Sequence, residues 1–125
     1  MILRALGQIA LFKTLTSSKL KELANDLKVK TFNKGENIIN QGEHSTEFYI
    51  VKEGSVDIVK NSNDHIRSLS KLMCFGERAI LTSEPRSTSA IATLPNTQCW
   101  YMSSEDFRRV MDPNIMAHLT KRMEL

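Results

Sequence analysis

Gly76-Glu77 and, nine positions after the glutamate, Pro85-Arg86 place a carboxylate and a guanidinium at the two ends of one segment, within "CFGERAILTSEPRSTSAIA". After the arginine comes a run of small and hydroxylated residues. A guanidinium is a planar fork of donors that grips phosphate or carboxylate through two parallel hydrogen bonds. A carboxylate only accepts, so beside an anion it suits a group with a proton to give, such as a sugar hydroxyl. An acid for the sugar and an arginine for the phosphate describe a nucleotide held by its sugar-phosphate end. The plainer reading of the same two residues is a surface ion pair bracketing a turn.

Such a pair needs a frame to hold its ends together. The strand pattern that ends at Leu72 and the one that resumes near Ser87 are separated by about fourteen residues, too many for a tight hairpin and enough for a small helix. "GERAIL" is rich in good helix formers, with Gly76 opening the helix and "TSEPR" closing it. The free N–H groups of a first helical turn attract anions, and Arg86 returns the chain to the same place.

The remaining chain reads as helices, then strands, then helices. Leu3, Leu6, Ile9 and Ala10, and after "KTLTSS" Leu20, Leu23, Ala24 and Leu27, recur at helical spacing, with Thr16 or Ser17 as a cap. From Val29 the period shortens to two in "VKTFNK", "ENIIN", "EFYIVKEGSVDIVK" and "HIRSLSKL", with Gly35, Gly42 and Gly54 in the turns. "STSAIATL" and "TQCWYMS" are two more strands, joined at Pro95-Asn96. "SSEDFRRVM" is a helix capped by Ser103 or Ser104, with Phe107, Val110 and Met111 on one face. Asp112-Pro113 starts a last helix that carries Ile115, Met116, Leu119 and Met123. The expected fold is mainly β with flanking helices: a barrel or roll of seven or eight short strands with helices at both ends of the chain.

Composition narrows the function. The 125 residues are one domain's worth of chain, with 41% hydrophobic and 25% charged residues and no apolar run long enough for a bilayer span. The start, "MILRALGQIALF", reads as a helix of the domain and not as a signal peptide. The net charge of +3 is spread among acids, which suits a solvated surface better than a nucleic-acid patch. Cys74 and Cys99 lack metal-type spacing and read as buried free thiols of a reducing, cytoplasmic compartment. His44, His65 and His118 are scattered, so neither a metal site nor a nucleophilic triad can be assembled. The expectation is a binding module without catalytic residues, metal or cofactor. Trp100, Tyr101 and Phe107 read as packing residues and the six methionines as core filler.

"FGERAILTSEPRSTSAIA" resembles the phosphate-binding cassette of cyclic nucleotide-binding domains, and "LFKTL", "FNKGENIINQGE" and "EFYIVKEGSVDIV" resemble that family's helix and first four strands. The resemblance implies a jelly-roll-like β-barrel with N-terminal and C-terminal helices. Its expected parts are N-terminal helices over 1–28, a β-roll over 29–103 with the cassette at 75–88, and C-terminal helices over 104–125, as one piece of a larger protein. It further implies that Glu77 holds the ribose 2′-hydroxyl and Arg86 the cyclic phosphate, with backbone N–H groups at Ala79 and Ser87 completing the phosphate shell. Gly76, Arg78 and Thr88 fall within the same site, with Arg78 also readable as surface charge or a regulatory contact.

The closer likeness is to domains of cyclic GMP-dependent protein kinases, and the Asn-, Lys- and Ile-rich tone points to apicomplexan members. There a Thr or Ser after the cassette arginine, here Ser87, reads the guanine amino group. An arginine on the preceding strand, here Arg67 with Ile66 beside it, reads the guanine edge. Guanine offers O6 and N7 to such a fork, whereas adenine puts a donor in place of O6. Ser87 as an ordinary strand-edge hydroxyl and Arg67 as strand surface charge are the competing readings. The implied ligand is cyclic GMP in preference to cyclic AMP, and the implied partners are an attached kinase domain or neighbouring cyclic nucleotide domains. The same fold also serves transcription regulators and ion channels, and a roll that has lost its ligand is a third alternative. "SKLMC" lacks the glycines usual before the cassette, Thr88 stands where Ala is common, and a lid over the base is expected beyond Leu125.

Overall fold

A computed structural model describes residues 7–9, 12–13, 15–61, 64–76 and 84–111. The expected helix over "GERAIL", the last helix from Asp112 and most of the first N-terminal helix fall outside the described residues.

Helix α1 (Ser17–Asp26) begins where the Thr16 hydroxyl accepts the Lys19 N–H at 3.2 Å, satisfying one of the donors that a helix start leaves open. Eight strands follow: β1 (Lys28–Phe32), β2 (Asn37–Ile39), β3 (Phe48–Glu53), β4 (Val56–Lys60), β5 (Asp64–Leu69), β6 (Cys74–Phe75), β7 (Ser89–Ala92) and β8 (Thr97–Met102). Helix α2 (Ser104–Val110) closes the described part, capped by Ser103, whose side chain accepts the Asp106 N–H. Glu105 and Asp106 lie in its first turn and Arg108 and Arg109 in its last, as the helix dipole favours.

The strands form two four-stranded antiparallel sheets, in the orders β1-β8-β3-β6 and β2-β7-β4-β5. Among consecutive strands only β4 and β5 are hairpin neighbours; every other step carries the chain from one sheet to the other. All eight strands send residues into one apolar cluster between the sheets, including Phe32, Tyr49, Val51, Val56, Leu69, Phe75 and Cys99. A second cluster lies on the far side of the first sheet, where Phe48, Ile50, Trp100 and Met102 meet Ile9, Phe12 and Leu23 and, from α2, Phe107 and Val110. Strand β3 is therefore covered on both faces. This accounts for four consecutive buried residues, Phe48 to Val51, where a half-exposed strand would alternate.

Between β3 and β4, Gly54 has φ +95° and a Cβ there would lie 2.9 Å from the Thr97 Cα, so the sheet-to-sheet crossing admits no side chain. The fifth strand is shorter than its sequence pattern. It stops at Leu69, the chain turns through Ser70–Met73 with Leu72 at φ +71°, and β6 then joins the other sheet, a step the alternation in "HIRSLSKL" hides. Leu72 holds this left-handed conformation in the segment that lacks glycine, its N–H bonded to the Val51 carbonyl at 2.8 Å.

Neither cysteine is in a disulfide, but only Cys99 is buried; Cys74, expected to be buried as well, is half-buried. They sit on opposite faces of the first sheet, Cys99 in the inter-sheet core and Cys74 against the helix-side cluster. Burial raises the Cys99 thiol pKa to about 12, which keeps it protonated and inert at neutral pH. Trp100 and Phe107 are buried core residues and Tyr101 packs against the inter-sheet core, as the packing reading expects.

Candidate nucleotide site

Arg86 is the only charged side chain buried among the described residues, with 6% of its surface exposed. A buried cation is costly unless its donors are met. Here Nε donates to the Ser45 hydroxyl at 3.2 Å, one terminal nitrogen to the Gly76 carbonyl at 3.1 Å and the other to the Glu47 carbonyl at 2.6 Å. Its backbone is held as firmly. The Arg86 N–H donates to the Glu43 carbonyl and the Gly42 N–H to the Arg86 carbonyl, each at 2.8 Å. The arginine is thus seated on the β2–β3 connection, at the point where β6 leaves the first sheet.

Gly76 makes this seat possible. It has φ +91°, and a Cβ on it would stand 2.8 Å from the Glu47 carbonyl oxygen and 3.1 Å from Arg86 Nη1. Gly76→Ala should destabilise the domain by about 1–3 kcal/mol, by strain and displacement of the guanidinium. A urea midpoint at the parent value would mean that the arginine is not seated as described.

The side of the seat nearest β3 carries a second polar contact. Tyr49 stacks flat on Phe75, with centroids 5.1 Å apart and 10° between the planes, and its hydroxyl donates to a Glu47 carboxylate oxygen at 3.2 Å. Burial first, and then the Glu47 charge, push the Tyr49 hydroxyl well above the usual phenol pKa, so it remains a donor. On the other side, the Gln41 N–H donates to the Ser89 hydroxyl at 2.8 Å, and the Gln41 side chain exchanges two hydrogen bonds with Asn61 at the β4–β5 turn. One loop, 41–47, thereby touches Arg86, the start of β7 and the β4–β5 hairpin.

The other expected site residues fall into three groups. Glu77, Arg78 and Ala79 lie outside the described residues. Ser87 is exposed and Thr88 half-buried, between Arg86 and β7. Arg67 and Ile66 lie on exposed β5, at the edge of the second sheet. Arg67 pairs with Ile58, and Ile58 with Ala90, so Arg67 shares the core-facing side of that sheet with the start of β7. Ile66 is the extra residue of a bulge and is 53% exposed. Ser45, Glu47 and Tyr49 were not legible as site residues. Two of the acceptors described for Arg86 are backbone carbonyls, which carry no residue signature, and Ser45, Glu47 and Tyr49 are common strand or turn types.

The sequence model of the family described as "Cyclic nucleotide-binding domain" matches residues 29–114. A cGMP-dependent protein kinase of Plasmodium berghei (strain Anka) is 38% identical over 115 residues, covering 92% of this chain and 13% of that protein. A cAMP-dependent protein kinase regulatory subunit of Debaryomyces hansenii is 34% identical over 109 residues, covering 86% of this chain and 24% of that protein. The chain thus spans no more than a quarter of the length of these two relatives. Among solved structures, the regulatory domain of Toxoplasma gondii PKA in co-crystals with cAMP superposes with a TM-score of 0.91 at 25% identity, over 99% of this chain and 49% of that one. With the two-sheet roll, its flanking helices and the family match across most of its length, the chain belongs to the cyclic nucleotide-binding domain family.

Proposed function

We propose that this domain is the cyclic GMP-responsive regulatory module of a larger, cytoplasmic serine/threonine protein kinase, one that uses cyclic nucleotide as a ligand and carries out no chemistry itself. The observation that carries the reading is the buried, pre-seated guanidinium of Arg86 beside Gly76. A cation fixed before the ligand arrives loses little further entropy on gripping a phosphate. Arg86 takes the cyclic phosphate together with backbone N–H groups of the cassette, including those of Ala79 and Ser87, with Gly76, Arg78 and Thr88 around it. Glu77 takes the ribose 2′-hydroxyl. The Ser87 hydroxyl reaches the guanine amino group, and Arg67, with Ile66 beside it, reads O6 and N7. The shared side of Arg67, Ile58 and Ala90 supports that last assignment.

Ligand favours whichever conformation binds it better. Phosphate capture draws Ile80 and Leu81 toward the roll, α2 and the chain after it repack, and the attached kinase is released from inhibition. The likeness to a P. berghei cGMP-dependent kinase supports the choice of ligand. A cyclic AMP-binding or unselective module is the second reading, favoured by the T. gondii PKA domain crystallised with cAMP.

Calorimetric titration with each nucleotide separates the two. The expected result is tighter binding of cyclic GMP, with Ser87→Ala reducing its advantage by roughly three- to tenfold, the worth of about one hydrogen bond. Equal affinities, or a preference untouched by Ser87→Ala, would remove the selectivity argument and leave the second reading.

A further inference from the structure

Glu47 is held at two points by two different partners. Its carbonyl oxygen accepts from Arg86 at 2.6 Å, while its carboxylate accepts the Tyr49 hydroxyl at 3.2 Å. The chain therefore keeps an acid of its own within a side chain's length of its buried cation. In a partly dry site opposite charges attract far more strongly than in water, so a Glu47 carboxylate lying on the Arg86 guanidinium would compete with any incoming anion.

We propose that the Tyr49 hydroxyl is a restraint that holds the Glu47 carboxylate off Arg86, so that a nucleotide phosphate does not have to displace it. The inference rests on the phosphate role given to Arg86 above.

Tyr49 is well placed for this. Tyr49 is 7% exposed and its ring is stacked on Phe75, the residue before Gly76, and Tyr49 and Phe75 are register partners between β3 and β6. A Cβ on Gly76 would lie 3.6 Å from the Tyr49 ring and 3.1 Å from Arg86 Nη1, so ring and guanidinium flank one point. The two carbonyls that seat Arg86, those of Glu47 and Gly76, stand next to the two strands this stack joins. The ring is locked, the hydroxyl keeps its proton, and the carboxylate is held by a donor that carries no charge. Tyr49 acts as a positioning residue; it touches the ligand only through what it does to Glu47.

The test is a double-mutant cycle read by titration with cyclic GMP and cyclic AMP, on the folded domain, with urea unfolding as a check of each variant. Tyr49→Phe keeps the ring and its stack and should lose about five- to tenfold in affinity, as its carboxylate neighbour turns onto Arg86. Glu47→Gln keeps a hydrogen-bond acceptor without the charge and should tighten binding about two- to threefold. In the double variant the missing hydroxyl should no longer matter, and affinity should return to that of Glu47→Gln.

A hydroxyl that merely supports the fold predicts otherwise: the double variant would stay as weak as Tyr49→Phe. That result, unchanged affinity in Tyr49→Phe, or weaker binding in Glu47→Gln would each overturn the restraint. The Glu47→Gln arm alone decides the matter if Tyr49→Phe fails to fold. Arg86→Ala is the separating control. Wild-type affinity there would remove the phosphate role itself, while lost binding without rescue in the double variant removes only the restraint.

Discussion

Arg86→Ala should lose about 100- to 1,000-fold in affinity for cyclic GMP and cyclic AMP alike, because it deletes a charge-assisted grip worth about 3–4 kcal/mol in a desolvated site. The loss is large because the side chain is 6% exposed and already seated, so water cannot take over its role. The variant also leaves the Gly76 and Glu47 carbonyls without their donor, at a stability cost of about 1–3 kcal/mol per group that water fails to reach. Arg86→Lys separates the two effects. It retains a charge but not the fork, and is expected to bind between the alanine variant and the parent. Calorimetric titration at fixed ionic strength measures all three, and an Arg86→Ala domain that binds like the parent would end the phosphate assignment.

Phe48→Ala should cost about 3–5 kcal/mol of stability, against the roughly 5–15 kcal/mol that holds a typical domain together. Phe48 is fully buried in the centre of the helix-side cluster, with ring centroids 6.2 Å from Phe12 and 5.0 Å from Phe107. Its removal opens a cavity that touches the N-terminal segment, the first sheet and α2 together. Urea unfolding followed by far-ultraviolet circular dichroism reads the change, and a loss below about 1 kcal/mol would show that the site collapses around the missing ring. The exposed bridge from Arg109 to Asp26, which also ties α2 to α1, should contribute far less, because its arginine is 64% exposed.

The contrast between these two variants follows how the chain is built. Caps and strands lay open in local pattern: Thr16 and Ser103 cap the helices they precede, and every stretch with a period of two holds a strand. Strand β6 was hidden because two residues are too few to show alternation, and because Leu72 takes a left-handed turn with no glycine to announce it. The burial of both faces of β3 was equally invisible, since a run such as "FYIV" does not say which of its residues face helices and which face a second sheet.

The sequence by itself determined seven of the eight strands, the two described helices with a pair of candidate caps for each, the glycine turns, and the pair of residues, Glu77 and Arg86, whose chemistry suggests a nucleotide. These depend on local periodicity and on side-chain identity, both of which can be read along the chain. Tertiary structure alone decided which strands share a sheet, that Arg67 shares a side with Ala90, and that Arg86 rests on Ser45, Glu47 and Gly76. Two of those acceptors lie 41 and 39 positions away in the chain. Carbonyl oxygens, moreover, occur at every residue, so only the folded backbone selects the two that hold the guanidinium.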